Sequence, residues 1–217
     1  MASEVKTNKI SPSTSTTVTL GDASDVFQLP ASAEIDIASG ATLDVNGTID
    51  LTGATTTGFP AGGLTDATIW RQNTTTSAST TDTFFTAGWE IPDNTDTGYG
   101  TLGTAVGETS GVFDFPSTGY WLVIFNIMIT ASGGEREGIG RIHATEDDGT
   151  YVECSKATCS SGNTLNDTAS MFHLMKVEDI ADYKIKFSHA MAGLAGTVQG
   201  STTVNQTYAV FVKLAGI

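Results

Sequence analysis

The sequence predicts an all-β protein in which an N-terminal extended β stalk precedes a jelly-roll sandwich. Three observations support this fold class. The 217-residue chain has a low charged fraction, 16%, and is rich in Thr, Ser and Gly, which suit strands and turns. No run of about a dozen residues has a helical spacing of apolar positions. Apolar residues instead recur in short alternating bursts separated by turn residues, a pattern typical of many-stranded sandwiches.

The N-terminal region contains strand-like bursts that are too short to fold alone. Residues 35–37, 43–45 and 49–51 share the pattern apolar, Asp, apolar, followed soon by a glycine. Each burst offers about two side chains to a core, which cannot offset the entropy of ordering the chain. We therefore expect three copies to wind around one axis as a stalk. A Thr-rich disordered tail remains the alternative.

A boundary between stalk and head is predicted at residues 56–63, where Pro60 and three glycines lie close together. The chain is thereby divided into an N-terminal stalk or attachment segment, 1–66, and a head domain, 67–217. The bursts in the head are longer and turn signals separate them. The predicted head strands are 69–76, 82–90, 99–106, 111–115, 119–131, 138–145, 150–155, 168–176, 182–189 and 206–214.

The longest nearly unbroken apolar run, residues 119–130, is predicted to be the central strand of the head. Because side chains alternate along a strand, it has two faces. One face carries Trp121, Val123, Phe125, Ile127 and Ile129, and the other carries Tyr120, Leu122, Ile124, Asn126 and Met128. Both faces are apolar, whereas an antiparallel strand usually leaves one face to water. We expect the first face to lie in the core and the second to lie against another subunit.

Two later strands, which begin near Met171 and Tyr208, also carry apolar residues on both sides. They share the need for a second cover, so the sequence predicts a homotrimer interface built from three strands. Three copies of His173 could meet near the axis as a pH-sensitive or ion-binding ring. The candidate interface residues are Tyr120, Leu122, Ile124, Asn126, Met128, Met171, His173, Met175 and Phe211.

The charge of the chain argues against several partners. The formal net charge is −14, and no basic block occurs that could bind nucleic acid or an anionic membrane. The N-terminus lacks the basic-then-apolar organisation of a secretory signal, and the run at 119–130 is too short to cross a bilayer. We expect the chain to be made in a cytoplasm and not to insert into a membrane.

The residues that usually carry chemistry show no catalytic or metal-binding pattern. The three histidines, His143, His173 and His189, have no Cys, Glu or Asp at a metal-ligand spacing, and we expect them to be structural. The acidic clusters at 93–96 and 146–148 fit solvated turns better than cation sites. Cys154 and Cys159 are expected to be free thiols, with a disulfide as the alternative. We expect no cofactor, metal or enzymatic activity.

One part of the head resembles a known fold family. Residues 111–127, GVFDFPSTGYWLVIFNI, are similar to the hallmark of the complement globular-head and tumour-necrosis-factor-like (TNF-like) jelly rolls. In that family a short strand enters a Pro-x-x-Gly turn and is followed by a strand of alternating aromatics. Residues 170–176 and 206–214 correspond to late strands of the family, whereas 133–163 does not align. The resemblance implies a TNF-like jelly roll that assembles as a tight trimer.

The N-terminal strings SEVKTNKISP and GATLDVNGTIDL resemble the N-termini of bacteriophage fibre and virion-surface proteins. This resemblance implies a non-enzymatic homotrimeric phage structural protein, a short fibre or spike on the tail or capsid. Its N-terminal segment would contact other virion proteins, and loops of the head could bind a host-surface glycan or protein. A soluble trimeric lectin-like module outside a virion is the alternative hypothesis. A polysaccharide-degrading spike is the third.

Overall fold

The computed structural model describes Thr42 and residues 64–93, 101–134, 136–161, 165–193 and 195–217. The predicted stalk, 1–66, lies outside these ranges apart from Thr42 and residues 64–66. In the described residues all regular structure is β, and the elements belong to the unit Gly58–Ile217. The strands are β1 (Ala67–Gln72), β2 (Thr76–Ala78), β3 (Thr83–Phe84), β4 (Trp89–Glu90), β5 (Gly107–Thr109), β6 (Val112–Asp114), β7 (Gly119–Ala131), β8 (Arg136–Thr145), β9 (Val152–Ser161), β10 (Asn166–Val177), β11 (Lys184–Ala192), β12 (Gly196–Val198) and β13 (Tyr208–Ala215).

The strands form two antiparallel sheets. In the first sheet, β7 pairs with β10 along one edge and with β13 and then β12 along the other. The sheet continues from β13 to β1 and β4, and from β12 to β2. In the second sheet the order is β5-β6-β11-β8-β9, with β3 beside β11. The predicted all-β sandwich is therefore confirmed.

The core lies between the two sheets and is rich in aromatic rings. Phe113 of β6 is central to it, with ring centroids 5.1 Å from Phe187, 5.2 Å from Phe211 and 5.2 Å from Trp89. Phe187 also stacks on Phe125 at 4.5 Å. These contacts join strands from both sheets, and edge-to-face and offset stacks add to the energy of burying the rings.

The predicted central strand is confirmed at β7, but two predicted strands are broken. The described part of a third, residues 101–106 of the predicted 99–106, has only an isolated bridge at Leu102. The predicted strand 82–90 is split into β3 and β4, because Gly88 adopts a φ of 81° that continuous strands do not use. The predicted strand 69–76 is likewise divided between β1 and β2. A two-residue hairpin turn joins β5 to β6. Its residues, Ser110 and Gly111, have φ values of 53° and 82°, as a tight hairpin of this type requires.

Candidate assembly surface

The two faces of β7 have the different environments that the sequence predicts. Trp121, Val123, Phe125, Ile127 and Ile129 are 0% exposed and lie in the core. The other face points away from the second sheet. On it Tyr120 is 39% exposed, whereas Leu122, Ile124, Asn126 and Met128 are half-buried by their neighbours in the sheet.

The register of the sheet arranges this outer face into rows, because directly opposed residues of antiparallel strands lie on the same side. One apolar row runs across four strands: Phe172, Ile124, Val210 and Ile69. A second apolar row lies beside it: Leu174, Leu122, Val212 and Ala67. We call these two rows the apolar band.

The strand β10 contributes the most accessible part of the apolar band. Phe172 is 70% exposed and Leu174 is 55% exposed. Beside Phe172 lies an apolar hollow of about 490 Å3, lined by Leu122, Ile124, Ser170, Met171 and Phe172. An exposed aromatic ring next to an apolar hollow is typical of a surface that binds another protein.

A polar row borders the apolar band on the side away from Tyr120. It consists of Ser170, Asn126, Tyr208 and Arg71. The Ser170 hydroxyl donates to the Asn126 side-chain oxygen. The row ends at Arg71, which is fully buried and whose Nε lies 2.8 Å from a Glu90 carboxylate oxygen. This pairing offsets part of the cost of burying the guanidinium group.

Three residues predicted for the subunit interface lie elsewhere. Met171 and Met175 are 4% and 5% exposed on the inward face of β10, and Phe211 is 0% exposed on the inward face of β13. These side chains fill the protomer's own core, so their assignment to the outer face is corrected. His173 shares the inward side of β10 with the two methionines. The outer face therefore offers no place for the predicted His173 ring.

The sequence does not single out the other exposed apolar residues of this outer face. Phe172 and Leu174 alternate with Met171, His173 and Met175, so the apolar pattern of β10 does not say which set faces inward. Val210 and Val212 lie on the same side of the last strand as Tyr208, and the sequence alone does not say what this side contacts. Pairing these strands with β7 in the observed register would have placed them beside Leu122 and Ile124.

The histidines differ in their surroundings. His143 is buried, and its Nε2 atom lies 2.9 Å from the Ser188 hydroxyl and 3.9 Å from an Asp82 oxygen. A catalytic triad needs the acid on the other ring nitrogen and an accessible serine, and Ser188 is fully buried. Burial lowers the pKa of His143, and it also lowers the pKa of His173. These residues therefore do not form an activated nucleophile.

The acidic turn at 146–148 and the two cysteines also show no arrangement for catalysis or metal binding among the described residues. Asp147 accepts hydrogen bonds from the Thr145 hydroxyl and from the backbone N–H groups of Gly149 and Thr150, which also lower its pKa. Cys154 and Cys159 are free thiols. Among the described residues, no group of three or more His, Cys, Asp or Glu side chains could hold a metal ion. The part of the chain that the structure describes has no helix long and apolar enough to cross a membrane.

The sandwich with this strand order is a TNF-like jelly roll. Murine APRIL at pH 5.0 is similar in structure, with a TM-score of 0.50 and 12% sequence identity over 69% of this chain and 98% of that chain. This likeness shows the fold alone.

Two other solved structures are similar at lower scores. Eiger TNF from S. frugiperda has a TM-score of 0.49 and 14% identity, over 70% of this chain and 93% of that chain. The PRD1 vertex protein P5 has a TM-score of 0.42 and 14% identity, over 70% and 99%. No protein-family model matches the chain, and no curated protein matches it.

Proposed function

We propose that the chain is a non-enzymatic, homotrimeric structural protein of a bacteriophage virion, a short fibre or spike on the tail or the capsid. The proposed homotrimer is supported by the apolar band on the outer face of the first sheet. The virion part is supported by the resemblance of the strings SEVKTNKISP and GATLDVNGTIDL to phage fibre N-termini. In this proposal the N-terminal segment contacts other virion proteins, and the head is displayed outward.

The occupant of the apolar band is a second copy of the chain. A TNF-like fold leaves the outer face of this sheet uncovered, and trimers are what the resemblance implies. The proposed interface consists of Tyr120, Leu122, Ile124, Asn126 and Met128 together with Phe172, Leu174, Val210 and Val212. Full burial of a Phe or Leu side chain is worth about 1.5 to 3 kcal/mol. Covering the exposed fractions of Phe172 and Leu174 would therefore stabilise the assembly by about 2 to 4 kcal/mol per protomer.

The chain enters the head domain at one end of the first sheet. Strand β1 begins at Ala67, opposite Val212, and the backbone N–H of Lys213 donates to the carbonyl of Asp66. The chain thus enters the head at the Tyr120 end of the first sheet. The opposite end of the first sheet, where β7 ends at Ala131 beside β12, lies away from this entry point. Loops at that end are the proposed contacts to a host surface.

The assembly is tested by placing a charge in the apolar band. We expect Phe172→Asp and Ile124→Asp to give monomers or unfolded chains in size-exclusion chromatography with light scattering, because an unpaired carboxylate would be buried in the interface. Val204→Asp is the matched control, since Val204 is 51% exposed in a loop outside the band. A wild-type protein that is a folded monomer at micromolar concentration would contradict the proposal.

The virion location is tested separately. Mass spectrometry of purified phage particles is expected to detect the chain, and electron microscopy with an antibody to the head should place it on the tail or capsid. A soluble trimeric binding module would form the same trimer but be absent from the particles. Absence from the particles would therefore refute the virion part and leave the assembly part standing.

A further inference from the structure

We propose that the outer face of the second sheet binds a neutral saccharide through a patch formed by Asp82, Phe84, Arg141, Tyr151, Glu153 and Lys186. We call these six residues the lateral patch. They come from β3 and the loop before it, from β8, from β11 and from the start of β9. This face points away from the apolar band, so the patch remains accessible if the chain forms a trimer.

The lateral patch presents aromatic surface next to the Lys186 ammonium. The Phe84 side chain is 38% exposed, and its ring meets the His143 ring edge-on at 4.8 Å. The Lys186 ammonium lies 4.1 Å from the Tyr151 ring centroid and 5.8 Å from that of Phe84. The described residues give this ammonium no ion pair, so its N–H groups are free to donate to a ligand.

Two carboxylates of the lateral patch pair with one arginine. Arg141 bridges them, with Nη1 2.6 Å from Asp82 and Nε 2.8 Å from Glu153. The Asp82 and Glu153 side chains are 37% and 45% exposed, so they keep acceptor capacity on the solvent side. Carboxylates fixed by a shared guanidinium lose little freedom when a ligand binds, which lowers the cost of binding.

This combination selects the chemistry of the ligand. An exposed ring packs against the apolar C–H face of a sugar, while fixed carboxylates accept from its hydroxyl groups and an ammonium donates to them. A purely apolar ligand would leave the solvent-side acceptor sites of the carboxylates and the ammonium N–H groups without partners. An anionic ligand would be repelled by two carboxylates in a chain of net charge −14. A neutral ring with several hydroxyls satisfies all of these groups.

The proposal is tested by saturation-transfer-difference NMR on the full chain, with the methyl glycosides of glucose, galactose, mannose, rhamnose and N-acetylglucosamine as probes. We expect saturation transfer to at least one glycoside. Phe84→Ala should weaken that signal at least fivefold, and Asp82→Ala or Lys186→Gln should weaken it as well. The matched control is Ile180→Ala, because Ile180 is 46% exposed and lies in the turn between β10 and β11.

Several results would overturn the proposal. Saturation transfer to none of the five glycosides would do so, as would a signal that survives Phe84→Ala. Binding that occurs only for a sulfated glycoside and is insensitive to Asp82→Ala would point to an anion site instead. Circular dichroism and the oligomeric state of each variant show whether a loss reflects misfolding. The trimer and virion experiments do not involve the patch, so the two proposals can fail separately.

Discussion

The replacement His189→Leu is expected to remove part of the acid sensitivity of the head. His189 of β11 is 1% exposed, and its ring lies 4.6 Å from that of Phe85. Neither ring nitrogen has a hydrogen-bond partner among the described residues. Burial lowers the pKa of His189 to about 4 from the ordinary 6.5, against a weaker opposing effect of Asp82. The folded protein therefore keeps this imidazole neutral under conditions in which the unfolded chain protonates it.

The sign and size of the effect follow from this pKa difference. Between the unfolded pKa of 6.5 and the folded pKa of about 4, the unfolded state binds more protons, so the free energy of unfolding falls as the pH falls. Each pKa unit corresponds to about 1.4 kcal/mol. The protonation of His189 in the unfolded state therefore lowers the free energy of unfolding by about 3 kcal/mol in total as the pH falls through both pKa values. About 2 kcal/mol of this should be lost between about pH 7 and about pH 5.

Urea unfolding of both proteins at several pH values, at one protomer concentration, measures this contribution. The stability of His189→Leu relative to wild type should increase by about 2 kcal/mol as the pH is lowered over that range. The carboxylates titrate in both proteins and cancel in the difference. His173→Leu is the control, and it should show a smaller change because His173 is only half-buried. A difference between wild type and His189→Leu that does not vary with pH would refute the reasoning.

Two further predictions concern the backbone and the thiols. Gly111→Ala should lower the free energy of unfolding of the head by about 1 to 3 kcal/mol in urea. The reason is that φ at Gly111 is 82° and a Cβ there would lie 1.7 Å from the Phe85 carbonyl oxygen. Gly216→Ala is the control and should have no effect, because a Cβ at Gly216 meets nothing within 4 Å. Cys154 should react slowly with iodoacetamide at neutral pH, since burial raises its pKa to about 11. The rate in a Cys159→Ser background should rise about tenfold per pH unit, and fast, pH-independent alkylation would contradict this.

The sequence predicts the fold class and the central strand because both depend on local patterns. Turn signals at Pro116 and Gly119 and the alternation of large apolar residues specify β7 with its two faces. The breaks in the strands are harder to predict. The chain leaves the sheet at Gly88 through a positive φ, and nothing in the residues 82–90 distinguishes that glycine from one inside a strand.

The candidate surface is predictable only in part, because strand pairing decides it. Phe211 shares a side with Lys213, so the neighbouring valines look like the better core face. The structure turns Phe211 inward because it stacks on Phe113 from the other sheet, a contact far apart in sequence. The lateral patch is hard to predict for the same reason. Phe84 and Tyr151 lie near Lys186 only after three separate segments of the chain have folded together.

The edge strand β9 has a consequence for how copies of the chain can combine. Among the described strands it pairs only with β8, and a bulge between Ile142 and His143 leaves Cys154 outside the register. A bulged, twisted edge that also carries Lys156 is a poor template for hydrogen bonding to a strand of another molecule. Growth by strand addition at this edge, which would give open-ended polymers, is thereby discouraged. Copies that meet face to face can instead form a closed particle of fixed size.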